Sequence, residues 1–239
     1  MVATKPISMA SFYFGKFKPH LVANTQLYIQ RKDSTVSLCP DYSANGYDFT
    51  QGVALQQPTL GVDSIDFTTN DFMINNTANA FSGDSSGYIF FAMNHITGQR
   101  LDILTSCDTA TNNFDFRLVS SASTNKIQLI VRQSGVSNIV ILDTTTLING
   151  FNYGWIRSNG SAFSGKVNGV SQTINATIDN GAWLNSVTNR DNIAIGATIR
   201  LSPLYGEGGI NKVHYVSGSL SAIDIWKIEQ FMSNPLNYI

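Results

Sequence analysis

Glutamate is almost missing from this chain: of 239 residues only Glu207 and Glu229 are Glu, and charged residues of every kind make up 13%. Soluble domains carry about one quarter. Glycoside hydrolysis usually needs two carboxylates about 5–9 Å apart, commonly with Glu as acid or nucleophile. Glu207 lies in a Gly-rich stretch, Glu229 in a C-terminal helical segment, and no Glu-x-Asp-x-x-Glu strand motif occurs. The sequence therefore reads as non-enzymatic. Cysteine is equally sparse, Cys39 and Cys107 being the whole complement. Two isolated Cys make no secreted disulfide framework, so reduced thiols are expected. No apolar run approaches the ~20 residues that cross a bilayer. The first 20 residues hold neither the apolar core of about 7–15 residues nor the small-residue cleavage pattern of a secretory leader. Maturation in a cytoplasm, with no membrane partner, is expected.

Basic charge is also scarce. A net charge of −1 supplies no basic stripe for phosphate neutralisation, so no nucleic-acid partner is expected. His20, His95 and His214 stand far apart without metal-ligand spacing, and neither a metal nor a cofactor is expected. Gly83-Asp-Ser85-Ser-Gly87 matches the G-x-S-x-G expression, which works only on a strand-to-helix elbow. Here the strand-like YIFFAMN follows it, so it reads as a loop. Gly206-Glu-Gly-Gly209 lacks the Lys and Ser/Thr of a phosphate loop.

What the chain does have is β pattern. Tyr88–Asn94, Leu101–Thr105, Phe114–Val119, Lys126–Arg132, Asn138–Leu142, Phe151–Ser158, Ala162–Val167, Ile193–Ile199 and Lys212–Val216 are rich in Ile, Val, Phe and Tyr and bounded by Gly, Asn, Asp and Ser. In KIQLIVR, Ile127, Leu129 and Val131 fall on one face and Gln128 and Arg132 on the other, as in a half-buried strand. Turns about every ten residues favour a sandwich or barrel over βαβ units. One segment reads as a helix: Ser221 and Asp224 form a capping box, Ile225, Ile228 and Met232 form a stripe, and Asn234-Pro235 stops it. Residues 1–24, with Pro6, Gly15 and Pro19, read as an extended arm in which Phe12, Tyr13, Phe14 and Phe17 alternate with Lys16 and Lys18. Residues 25–239 read as one domain.

Three blocks resemble the concanavalin A-like (laminin G-like) family. The first is Asp41-Tyr-Ser-Ala-Asn-Gly-Tyr-Asp-Phe-Thr-Gln with Gln57-Pro-Thr-Leu60 and Ile65-Asp-Phe67. The second runs from Phe151 to Gly169 and is similar to the family's central hairpin, with Asn159-Gly160 as its tight turn. A type I′ turn is expected there, because Asn-Gly tolerates positive φ at both central positions. The third is Ile193-Ala-Ile-Gly196-Ala197, then Val216-Ser-Gly218-Ser-Leu220-Ser221 leading into the helix. The resemblance spans roughly residues 25–233 and implies an all-β, two-sheet antiparallel jelly-roll sandwich with one short C-terminal helix. Phe151 stands where the family's central Trp usually does, and no residue set matches its calcium ligands.

Loop aromatics are the remaining signal, since flat rings stack on sugars while nearby amides bond to hydroxyls. Tyr42, Tyr47, Trp183 and Tyr205 lie in turn-rich segments, and Tyr153, Trp155 and Arg157 share one strand face. These seven are the candidate glycan-binding residues, with packing inside the sandwich as the alternative for Tyr153 and Trp155. Tailed-phage structural proteins often carry domains with these blocks. The resemblance thus implies a virion component, a capsid decoration or tail/fibre-associated protein made in the host cytoplasm. Its arm (Phe12, Tyr13, Phe14, Phe17) would dock on other virion proteins, its jelly roll would face host-surface glycans, and a homo-oligomer is possible. The alternative is a stand-alone carbohydrate-binding module or lectin; a glycosidase is the third reading.

Overall fold

Apolar residues at every second position make a strand with one buried face, and continuous apolar runs make a strand buried on both. Both kinds occur here, and they sort the molecule into two layers. The computed structural model describes residues 11–15, 30–32, 35–41, 47–61, 63–77 and 83–234, of which 11–15 and 30–32 are described by their backbone alone. In the first sheet Phe163–Val167, Gly150–Ser158, Gly87–His95 and Gly208–Ser217 lie side by side, all antiparallel. Ser11–Gly15 adds a strand parallel to Lys212–Val216 at the far edge, so these five residues of the expected arm pair with the chain's own sheet. In the second sheet the order is Ile174–Ala176, Val136–Leu142, Ile127–Gln133, Asp115–Ser120 and Leu101–Cys107. It continues through Ile193–Ile195, Met73–Asn75, Phe49–Thr50 and Thr35–Cys39. Thr59–Leu60 and Ile65–Phe67 then carry the pairing back to the first sheet.

The main core fills the space between the layers. Ile89, Phe91, Met93, Ile156, Val213 and Tyr215 come from the first sheet and meet Ile103, Phe116, Leu118, Leu129, Val131 and Val140 from the second. The long strands Gly87–His95 and Gly208–Ser217 are buried on both faces, because the helix Ala222–Ser233 covers the other side. There Tyr88, Phe90, Ala92 and Val216 pack with Ile228 and Met232. Each large apolar side chain among these contributes about 1.5–3 kcal/mol on burial. The helix begins as expected, Ser221 Oγ accepting from Asp224 N at 3.2 Å and donating to Asp224 Oδ2 at 2.6 Å. Its end is fastened by the sheet: Lys212 Nζ donates to the carbonyls of Phe231 (2.7 Å) and Asn234 (2.6 Å), oxygens that no later turn of helix could satisfy.

The turns depart from expectation. Asn159-Gly160 sits in a four-residue connection between Ser158 and Phe163, and only Gly160 takes positive φ (90°). Asn159 Oδ1 accepts from the N–H of Ser161 (2.9 Å) and Ala162 (2.8 Å), an Asx turn that replaces the two-residue hairpin. Two-residue turns with positive φ at both positions occur at Ser134-Gly135 and Asn168-Gly169. Gly196, with φ 81°, also ends the strand expected to run over 193–199, and a Cβ there would meet the Phe67 ring.

Lys212 and His214 lie on the helix-covered face and are almost fully buried. Burial, then the neighbouring Lys212 charge, push the His214 imidazole from its ordinary 6.5 down to about 3. A folded-state value below the unfolded one means that stability is complete above pH 6.5 and is lost as pH falls towards 3. Urea midpoints should therefore drop between pH 7 and pH 4 (about the range this titration spans), and His214→Phe should drop less. Equal drops in both proteins would assign the acid sensitivity elsewhere.

Candidate functional site

The expected aromatic candidates do not converge. Tyr153, Trp155 and Arg157 do share a face of Gly150–Ser158, but it is the face beneath the helix. Trp155 packs edge-on to Tyr88 with ring centres 5.9 Å apart, and its Nε1 donates to Glu229 Oε1 at 2.5 Å. Lys166 Nζ reaches the other Glu229 oxygen at 3.0 Å, so Glu229 fastens the helix to the sheet. The recess lined by Tyr153, Trp155, Lys166, Gly169 and Glu229 encloses essentially no space, too little for a sugar ring. Arg157 stands 5.2 Å over the Tyr88 ring. Trp183 is a correction: it is fully buried, donates through Nε1 to the Tyr215 hydroxyl at 3.2 Å and meets Phe116 edge-on. A ring with no exposed face cannot stack on a sugar. Tyr47 is half-buried against the main core, and Tyr205 is half-buried with its ring 6.3 Å from Phe72. Tyr42 and Phe17 lie outside the described residues, and for Phe12, Tyr13 and Phe14 only the backbone is described.

The other motifs resolve as packing. Gly83–Gly87 leads into a strand, not a helix. Cys39 and Cys107 are free and buried, and burial pushes both thiols well up. Glu207 accepts from Thr69 Oγ1 at 2.9 Å, away from Glu229 under the helix.

Charge gathers instead on the outer face of the second sheet. In Arg100-x-Asp102 and Asp115-x-Arg117 the charged residues are two apart, so each pair projects from one side of its strand. The pairing register sets Arg117 beside Thr105 and Asp115 beside Cys107. Asp115 is fully buried and takes Arg117 Nε at 2.9 Å and Arg200 Nη1 at 2.9 Å, with Arg132 Nη1 at 3.6 Å. Arg200 arrives from the hairpin Ala197–Thr198/Leu204–Tyr205. Asp102, equally buried, pairs with Arg100 and accepts from Thr198 Oγ1 at 2.6 Å. Burial pushes the Arg117 guanidinium down, Asp115 opposes that, and the charges of Arg100 and Arg200 add to it. Four guanidinium groups thus face two carboxylates, leaving an excess of positive charge. Two polar atoms in this cluster, Arg100 Nε and Asp102 Oδ2, are buried without a hydrogen-bond partner. The Arg100 and Arg132 side chains keep 24% and 25% exposure, enough to meet a ligand at the rim. Alternating charge two residues apart was the sequence signal for this cluster; Arg200, 85 residues from Asp115, gave none.

No protein-family model matches the chain, and no curated protein sequence does. Solved structures do resemble it. The carbohydrate-binding module (CBM40) of a Ruminococcus gnavus IT-sialidase, bound to α2,3-sialyllactose, is 13% identical over 61% of this chain and 83% of that one, with a TM-score of 0.53. NanB with Optactamide matches at 13% identity and TM-score 0.54, over 69% of this chain but 27% of that one. The binding domain of botulinum neurotoxin DC, in complex with rat synaptotagmin II, matches at 13% identity and TM-score 0.53, over 85% of this chain and 50% of that one. The fold is therefore the all-β, two-sheet antiparallel jelly-roll sandwich, with one short C-terminal helix.

Removing the Asp115 carboxylate leaves the buried Arg117 facing Arg132 and Arg200 without its nearest counter-charge, Asp102 being paired with Arg100. Asp115→Ala should cost about 3–5 kcal/mol, read as a lowered urea midpoint with an unchanged slope. A cost below about 1 kcal/mol, the level of an exposed pair, would show that water already screens these groups.

Proposed function

We propose that this chain is a non-catalytic binding domain whose ligand is a carbohydrate bearing an acidic group, held at the arginine cluster on the outer face of the second sheet. The observation that carries the reading is the surplus of guanidinium charge there, with Arg100 and Arg132 partly exposed at its rim. Guanidinium groups present a planar fork of donors that fits a carboxylate with two parallel hydrogen bonds. Arg100 and Arg132, each with about a quarter of its side chain exposed, are the groups of the cluster that a ligand can reach. The likeness to a module solved with sialyllactose, a sugar with a carboxylate, supports the same chemistry. It also favours the free carbohydrate-binding reading over the virion one, whose placement on a particle and attachment through residues 1–24 rest on motif resemblance alone.

Isothermal titration with α2,3-sialyllactose and with lactose tests this. Binding of the acidic sugar, with lactose at least tenfold weaker (about 1.4 kcal/mol), is expected. Arg132→Ala should remove most of that difference while the far-ultraviolet circular dichroism stays unchanged. Equal binding of both sugars would dismiss the acidic group, and no binding across a broad glycan array would dismiss the carbohydrate.

A further inference from the structure

The two arginines at the rim of the charged cluster stand at its opposite ends. In the register of the second sheet Arg132 lies beside Asp115, and Val119, four residues further along that strand, lies beside Asp102. Arg132 Nη1 sits 3.6 Å from Asp115 Oδ2, while Arg100 Nη2 pairs with Asp102 Oδ1. Four residues of strand cover about 13 Å, and Asp102 and Asp115 are on adjacent strands besides. Charge-assisted hydrogen bonds span only about 2.7–2.9 Å, so one acid group cannot be held by both arginines. Each guanidinium is anchored on its inner side. Arg132 Nε donates to Ser137 Oγ at 2.8 Å and its Nη1 to the Asn112 carbonyl at 3.0 Å. Arg100 Nη2 donates also to Thr198 Oγ1 at 2.9 Å. Arg132 Nη2 and Arg100 Nη1 take no part in these bonds and remain for a ligand.

Between the two ends the sheet offers an uncharged floor. Gln128, Ile130 and Arg132 alternate with the buried Ile127, Leu129 and Val131, so they share the outer side of their strand. Ile130 stands beside Ile139 of the next strand, and Gln128 beside Ile141. All four keep part of their surface exposed. Lys126, at the far end of the same row, is spent on Asp143. The floor is thus one amide and three aliphatic side chains. An amide both donates to and accepts from hydroxyls, and aliphatic side chains meet the C–H faces of a sugar. A single-stranded nucleic acid would call for rings on which its bases stack, and none of these four residues supplies one.

We infer, building on the acidic-carbohydrate reading above, that the ligand is a chain of sugars with acid groups on separate residues. It lies across the floor of Gln128, Ile130, Ile139 and Ile141, with one acid group at Arg132 and another at Arg100. A terminal acidic sugar would occupy one arginine and leave the other empty; a chain occupies both. The charge count agrees, because four guanidinium groups facing two carboxylates leave two positive charges unmatched. Two contacts joined by one chain also reinforce each other, since the first holds the second acid group at high effective concentration near its arginine. The floor then reads what lies between the acid groups, hydroxyls at Gln128 and ring faces at the isoleucines.

The test is calorimetric titration of the full chain with α2,3-sialyllactose, which has one acid group, and with α2,8-linked tetrasialic acid, which has four. The tetramer should bind about tenfold tighter or more. Gln128→Glu keeps the side-chain shape and sets a negative charge in the floor. It stands about 13 Å along the strand from Arg132, beyond the ~8 Å Debye length of physiological salt. This variant should lose the tetramer's advantage, while its affinity for sialyllactose stays within about twofold of wild type. Arg100→Gln, which keeps a donor for Asp102, should do the same; if it folds poorly, Gln128→Glu decides alone. A gain no larger than the number of acid groups accounts for, or an advantage that survives in Gln128→Glu, overturns the chain and leaves the single acidic sugar standing. Poly-glutamate binding as tightly as the tetramer overturns it as well, since the floor would then not read sugar. Binding of neither sugar removes the acidic-carbohydrate reading itself, and the chain with it.

Discussion

A carboxylate with no exposure to water, Asp115, organises the second sheet. An ionised group taken out of solvent is tolerable only with close, well-aimed partners, and three arginines from three different segments supply them. Arg117 comes from the same strand, Arg132 from the next, and Arg200 from a hairpin that arrives from elsewhere in the chain. The hairpin therefore lies over the sheet partly because Asp115 needs its guanidinium. Neutralising one charge in this way imports more positive charge than it cancels. The ions that secure the fold thus also leave a surplus of guanidinium charge on that face.

The two outer faces are used very differently. Beneath the helix, aromatic side chains and Lys212 are consumed in packing, and both oxygens of Glu229 are spent on Trp155 and Lys166. Lys212 is driven from its ordinary 10.5 down to about 8, chiefly by burial, yet it still donates to two helix-end carbonyls. That face is closed. The second sheet keeps Gln128, Ile130 and Arg132 half-exposed.

Most long elements were legible in the sequence because their signals are local. Alternation in KIQLIVR, the continuous run in YIFFAMN and the Ser221/Asp224 cap each appear where expected. The failures came from competition and from distance. Asn159-Gly160 carries the dipeptide of a tight hairpin, but the Asn159 side chain captures two backbone N–H groups and widens the turn. Trp183 sits in a turn-rich segment and looks exposed, although long-range contacts with Phe116 and Tyr215 draw it into the core. Local pattern shows that Arg100, Asp102, Asp115 and Arg117 alternate; it cannot show that Arg200 completes them. The short strands Phe49–Thr50, Thr59–Leu60 and Met73–Asn75 carry too few residues for any period to be read.

The parallel strand Ser11–Gly15 has a mechanical meaning. It runs in the same direction as Lys212–Val216, so the chain enters this ladder at one end and leaves the last strand at the other. Tension between the segment before Ser11 and the segment after Ser217 pulls the two strands along their length in opposite senses. Their hydrogen bonds are then loaded together in shear, not peeled one after another as at the tip of a hairpin. Resistance to such a pull is set by the barrier to unfolding rather than by equilibrium stability, and in this geometry that barrier involves the whole ladder at once.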